Sequence, residues 1–347
     1  MALLKNLIRT HLQEVTAYSS ARDEFEGEAE VYLDANENAL GSTTAEQYHR
    51  YPDPHHTALK KKWAELRGVD ENRIFFGNGS DEPIDLLIRL FCEPHKDHII
   101  TMPPTYGMYK VSAKVNAVDN VEVPLTPRFQ VDYNELKEHW NGSSKILFLC
   151  SPNNPTGNAL KKENIINILK NFPGIVVIDE AYIDFSIDQS WVSELENYPK
   201  LVILQTLSKS WGMAGIRVGV AMGDPFVIAM LEKIKPPYNI SQVNQQLALE
   251  ALQNEQEMKA RVGTLLVERD RMLQDLNGIA QVEKIHVSHG NFLLVRMKDA
   301  EEVFHYLTQH GVIVRNRTKE LHCQGCLRIT VGTKEENDRL INLLTGY

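Results

Sequence analysis

The chain has 347 residues, 43% of them apolar, which is ample for a sizeable core and suggests two domains. Its 46 acidic and 37 basic side chains give a net charge of -9, which argues against a general affinity for nucleic acid or for an anionic membrane. An anionic ligand must therefore meet locally placed arginines. Four cysteines, Cys92, Cys150, Cys323 and Cys326, are too few and too scattered for a disulfide framework, so a reducing, cytoplasmic setting is expected.

In chain order, Met1 to Leu12 is apolar but broken by Lys5, Arg9 and His11, which predicts a short amphipathic helix rather than a signal core. No apolar stretch reaches the roughly 20 residues needed to cross a bilayer. From about Arg73 to Ala221, short β-rich runs alternate with helical segments: 73–76, 98–102, 145–150, 175–178, 201–204 and 218–221. Such alternation predicts an α/β layer with a mostly parallel sheet, and continuous apolar runs mean strands covered on both faces.

After Pro236-Pro237 a helical stretch is predicted from Ser241 to Leu276, with Val243, Leu247, Ala251, Met258, Val262, Leu265 and Leu266 at helical spacing and a polar break at Asn254 and Glu255. Strands at 292–296, 312–315 and 327–331, with a helix around 300–310, predict a smaller α+β domain.

The chemistry-bearing residues fall at strand ends. Gly77-Asn-Gly-Ser80 follows the first run and precedes an apolar helix, a turn whose amides can approach a phosphate. Tyr106 lies in a proline-rich turn after the second run, where its ring could stack on a planar cofactor. Ser151-Pro-Asn-Asn-Pro-Thr-Gly157 follows the next, and its prolines fix the backbone so that Asn154 could reach a ring oxygen. Asp179 and Tyr182 follow the fourth, and Thr206, Ser208, Lys209 and Arg217 follow the fifth.

In an open parallel sheet the carboxyl ends of the strands form the ligand crevice, so these groups can converge. An amine able to form a Schiff base, opposite a carboxylate facing a pyridinium nitrogen, is what pyridoxal phosphate chemistry requires. Asp179 would hold the ring nitrogen protonated, Tyr182 the ring oxygen, and Arg217, Ser208 and Thr206 the phosphate. Neither the twelve histidines nor Cys323-Gln-Gly-Cys326 has a recognisable metal-site pattern, and no metal is expected.

Together, Ser151 to Gly157, Asp179-Glu-Ala-Tyr182, and Ser208-Lys209 with Arg217 eight residues on resemble the fold-type I, aspartate-aminotransferase-like enzymes that use pyridoxal phosphate. Leu33-Asp-Ala-Asn-Glu-Asn38, Arg50-Tyr-Pro-Asp-Pro54 and Cys326 to Thr333 are similar to a branch of that family that handles a phosphate ester in one half-reaction and a dicarboxylate in the other.

The resemblance implies that Lys209 is the lysine joined to the cofactor aldehyde and later the proton carrier. Tyr106 would stack on the ring, with Gly79, Ser80 and Asp81 near the phosphate. It further implies a homodimer in which Tyr51 reaches the phosphate bound by the neighbouring subunit. The substrate is expected to meet Tyr18, Asn154, Arg315 and Arg328, with Arg317 a further candidate. An arm over 1–35 packing with the small domain, a large domain over 36–240 and a small domain over 241–347 are expected. An aromatic aminotransferase, a threonine-phosphate decarboxylase and a non-catalytic cofactor-binding protein are the rival readings on the same scaffold.

Overall fold

A computed structural model describes residues 2–19, 24, 27 and 29–347. After two short helices, α1 (Ala2–Lys5) and α2 (Thr10–Glu14), the large domain runs through α3 (Thr57–Arg67), β1 (Ile74–Asn78), α4 (Asp81–Phe91), β2 (His98–Thr101), α5 (Met108–Val115), β3 (Asp119–Glu122), α6 (Tyr133–Glu138), β4 (Ser144–Cys150), α7 (Lys162–Asn171), β5 (Ile175–Asp179), β6 (Leu201–Thr206), β7 (Val218–Met222) and α8 (Pro225–Ile234). Its seven strands lie in the order β1-β7-β6-β5-β4-β2-β3. Only β7 runs against its neighbours, so the sheet is mostly parallel, as the alternation of runs predicts.

The period of two along each strand divides the core into two layers. Ile74, Phe76, Leu147, Leu149, Val176 and Ile178 face α3, α6 and α7. Their sequence neighbours Phe75, Ile146, Phe148, Ile175 and Val177 face α4, α5 and α8. Both faces are covered, which is why the strands read as unbroken apolar runs. At roughly 1.5–3 kcal/mol for each fully buried large side chain, this burial is the main stabilising term.

The second half of the chain holds α9 (Gln242–Gln253), α10 (Glu255–Asn277), β8 (Val282–Ile285), β9 (Phe292–Met297), α11 (Ala300–Gln309), β10 (Arg315–Asn316), β11 (Cys326–Thr330) and α12 (Lys334–Gly346). Four antiparallel strands in the order β10-β11-β9-β8 pack on the end of α10, α11 and α12 through Leu276, Leu293, Val295, Leu307, Leu327 and Leu340. A capping box between Thr333 and Glu336 starts α12, satisfying backbone amides that the helix cannot.

Three expectations need correction. The predicted helical stretch is two helices, since the chain turns at Asn254, and α9 with the start of α10 packs on the large domain through Ala248, Leu252, Met258 and Val262. A division at residues 240 and 241 therefore does not separate the two cores. The described part of the N-terminal arm docks on the large domain, not the small one: Leu4 and Ile8 enter the α4–α8 layer, the Arg9 amide donates to the Leu90 carbonyl, and Arg9 pairs with Glu93 at 3.2 Å. Residues 1, 20–23, 25, 26 and 28 of that arm lie outside the described residues. The strand predicted at 312–315 shrinks to Arg315–Asn316, because Ile313 points to solvent and pairing with β11 begins only at Arg315.

Candidate active site

Three adjacent parallel strands end together, with Cys150 of β4 opposite Asp179 of β5 and Asp179 opposite Leu204 of β6. Beyond these ends lies a cavity of about 590 Å³. Ser80, Asp81, Tyr106, Asn154, Asp179, Tyr182, Thr206, Ser208, Lys209, Arg217, Arg315 and Arg328 all line it, so most of the residues singled out in the sequence are brought to one place.

At the base, Asp179 is 3% exposed. Its oxygens accept from the Tyr109 hydroxyl at 2.6 Å and from the Ala181 amide at 3.0 Å. Both donors are neutral, and among the described residues no cation stands within ion-pair distance. Burial pushes the Asp179 carboxyl above its usual range, and the two hydrogen bonds oppose that shift. A buried carboxylate lacking a cation is costly alone, which suits a site meant to receive a protonated ring.

Lys209 reaches solvent through the mouth of the cavity, yet the walls crowd it. Its Nζ stands 5.5 Å from the centre of the Tyr182 ring. Loss of hydration lowers its pKa from the ordinary 10.5, and the Arg328 and Arg217 charges push the same way. Tyr182 is itself buried, edge-on to Phe292 at 5.1 Å.

Arg217 has a left-handed backbone, φ 52°, directly before β7. Its guanidinium donates to the Ser208 hydroxyl at 3.2 Å and to Asp81 at 3.4 Å, and Asp81 also accepts from the Tyr106 hydroxyl at 2.9 Å. Gly79, φ +71°, lies just outside the cavity lining, and a Cβ there would stand 2.7 Å from the Arg217 guanidinium. Gly219 is equally constrained, since a Cβ would meet the Ser80 amide nitrogen at 2.3 Å. The turn thus keeps room beside Arg217, Ser208 and the start of α4 in which a phosphate could sit. Thr206 bonds within the same loop, donating to the Val218 carbonyl and accepting from the Ser208 amide.

The opposite wall belongs to the small domain. Arg328 donates to Asn154 Oδ1 at 2.5 Å, tying β11 to the Ser151–Gly157 turn and leaving the Asn154 NH₂ as a donor. Burial lowers the Arg328 pKa, as do the nearby Arg317 and Arg315 charges. Arg315 is exposed at the rim, opposite Arg328 across the strand pair.

Two predicted residues do not reach this cavity in their own chain. Tyr51 stacks on Tyr238 with ring centres 4.5 Å apart and is 50% exposed. Its amide donates to Glu37, which also pairs with Arg50. Tyr18 is 71% exposed and lines a separate groove with Pro54, Lys233 and Lys235. Conversely, Tyr109 and Arg317 belong to the site more firmly than the sequence indicates. Among the described residues no cluster of His, Cys, Asp and Glu is able to hold a metal ion.

Residues 23–344 match the model of the class I and II aminotransferases. A histidinol-phosphate aminotransferase of Parabacteroides distasonis is 49% identical over 98% of each chain, and one of Cytophaga hutchinsonii is 47% identical over 99% of each. Among solved structures, the histidinol-phosphate aminotransferase of Clostridium acetobutylicum superposes with a TM-score of 0.79 at 25% identity, covering 86% of this chain and 90% of that one. That of Sinorhizobium meliloti, in complex with pyridoxal-5'-phosphate, superposes with a TM-score of 0.78 at 22% identity, covering 90% and 89%. The chain belongs to the class I and II aminotransferases and, within them, to the histidinol-phosphate aminotransferase family.

Proposed function

We propose that this chain transfers an amino group reversibly between L-glutamate and imidazole-acetol phosphate, giving L-histidinol phosphate and 2-oxoglutarate in histidine biosynthesis. The observation that carries the reading is the meeting, in one cavity, of Lys209, a buried carboxylate with only neutral donors, and arginines from the second domain. Pyridoxal 5'-phosphate, the cofactor of this family, supplies when bound an aldehyde that exchanges amino groups and a ring that accepts the electron pair of the substrate Cα–H bond.

The chain's own residues divide that work. Asp179 would hold a proton on the ring nitrogen, and the Tyr109 hydroxyl, by donating to Asp179, favours its ionised form against burial. Tyr106 covers a ring face. Tyr182 and the free NH₂ of Asn154 would serve the ring oxygen, while Ser80, Ser208 and Arg217 would hold the phosphate beside the start of α4, with Gly79 giving the turn its room. Lys209, its pKa lowered by loss of hydration, would take the proton from the substrate Cα and pass it on to the bound cofactor. Arg315 and Arg328 bind the anionic end of each substrate, whether phosphate or carboxylate.

We further propose a homodimer in which Tyr51 acts across the interface, in keeping with its exposed ring. Tyr18 would complete the substrate site only in that assembly. Four free buried thiols suit a cytoplasmic protein, and among the described residues no helix is long and apolar enough to cross a membrane. Turnover of imidazole-acetol phosphate, phenylpyruvate and threonine phosphate, each assayed with glutamate, tests the substrate. The first is expected to be used best by far. Release of carbon dioxide from threonine phosphate without amino transfer would contradict the reading.

A further inference from the structure

We propose that Arg317 is a specificity-determining residue, a third guanidinium that makes the substrate end of the cavity favour a phosphate dianion over a carboxylate. The inference rests on the substrate reading above and concerns how one site weighs its two half-reactions. Strand β10 ends at Asn316, but the Arg317 amide donates to the Cys326 carbonyl at 2.9 Å, so the ladder with β11 continues one residue further. In an extended chain, residues two apart point to the same side. Arg317 accordingly lines the cavity beside Arg315, with Arg328 facing both from the neighbouring strand.

Unlike Arg328, the Arg317 side chain has no hydrogen bond to the Asn154 turn among the described residues. Its Nη1 meets Glu320 at 3.3 Å, whereas its Nε is buried without a hydrogen-bond partner among the described residues. A buried N–H without an acceptor is costly and gains from an oxyanion that enters. Formal charge points the same way. Three guanidiniums and the Glu320 carboxylate sum to two positive charges, which a phosphate monoester dianion matches and a single carboxylate leaves in excess. Glu320 tempers that excess when the carboxylate substrate is bound.

Because a Coulombic interaction scales with the charge of the ligand, its loss costs a dianion about twice as much in log units as a monoanion. The experiment follows both half-reactions of the holoenzyme by single-turnover absorbance, with histidinol phosphate and with glutamate, for wild type, Arg317→Gln, Arg317→Lys and Glu320→Gln. For Arg317→Gln, kcat/KM is expected to fall about tenfold with histidinol phosphate and about threefold with glutamate. Arg317→Lys should recover part of the difference, since it keeps the charge and loses the fork, and Glu320→Gln should shift the ratio toward the phosphate ester.

The preference should also shrink as pH drops through about 6, where a phosphate monoester dianion takes up one proton and becomes a monoanion, and this pH dependence should flatten in Arg317→Gln. Equal losses on both substrates, or a ratio that no variant and no pH change moves, would overturn the assignment. If Arg317→Gln does not fold, Arg317→Lys and Glu320→Gln decide by the same ratio. A wild type that converts glutamate but not histidinol phosphate would instead overturn the proposed function.

Discussion

The two walls of the cavity are built on different physical terms. On the large-domain side the key charge, Asp179, is buried and met only by neutral donors, with Tyr109 locked by stacking on Phe148 at 4.6 Å. On the small-domain side the charges are guanidiniums on and just after the short edge strand β10 and on its neighbour β11, one of them exposed at the rim. The first arrangement suits a group that stays in place, whose fixed dipoles need no rearrangement during reaction. The second suits ligands that differ in shape and charge and exchange at every turnover. The Arg328–Asn154 hydrogen bond and the Phe292–Tyr182 edge contact join the two walls.

Substitutions on each side can break this contrast. Lys209→Ala should lower turnover by about four orders of magnitude or more, since general acid–base and covalent roles are both lost. Cofactor binding, followed by fluorescence, should persist because Arg217 and Ser208 remain; wild-type turnover would refute the assignment. Asp179→Asn should cost about two to three orders of magnitude in activity while stabilising the cofactor-free protein. The folded-state pKa of Asp179 is raised, so the unfolded chain binds fewer protons between the two pKa values, and stability falls as pH rises through that window. Denaturation of cofactor-free wild type and variant at pH 7 tests the sign.

Arg328→Gln should sharpen the division, reducing kcat/KM roughly tenfold to a hundredfold with either substrate while cofactor affinity changes less than about threefold. A parallel loss of cofactor affinity would mean that the walls do not act separately. The smallest effect is expected at His56, fully buried, with both ring nitrogens lacking hydrogen-bond partners among the described residues and a pKa lowered by burial from 6.5 to about 3. The neutral ring is the folded form, so stability is lost as pH drops below about 6.5 and the unfolded chain takes up the proton. By pH 5 wild type should lose on the order of 2 kcal/mol more than His56→Leu, read from urea titrations at both pH values.

The large-domain wall was the more legible in sequence. Asp179 stands directly after an apolar run and Lys209 a few residues after another, where a charge needs a reason, and the parallel-sheet rule brings strand ends together without knowledge of the register. Tyr109 was not legible, because a tyrosine on the apolar face of a helix reads as packing until its hydroxyl is seen on Asp179. Arg317 was ambiguous for a similar reason, since its place depends on a ladder that runs past the last strand residue. The arm's docking depends on Leu4 and Ile8 fitting beside α4 and α8, a matter of tertiary packing that local periodicity does not encode.

The central claim is that Lys209 is the amine that joins the cofactor. Borohydride reduction of the protein loaded with pyridoxal phosphate, followed by peptide mass mapping, addresses it directly. The account predicts one reduced adduct per chain, on Lys209; an adduct confined to another lysine, or an unchanged intact mass, would contradict it.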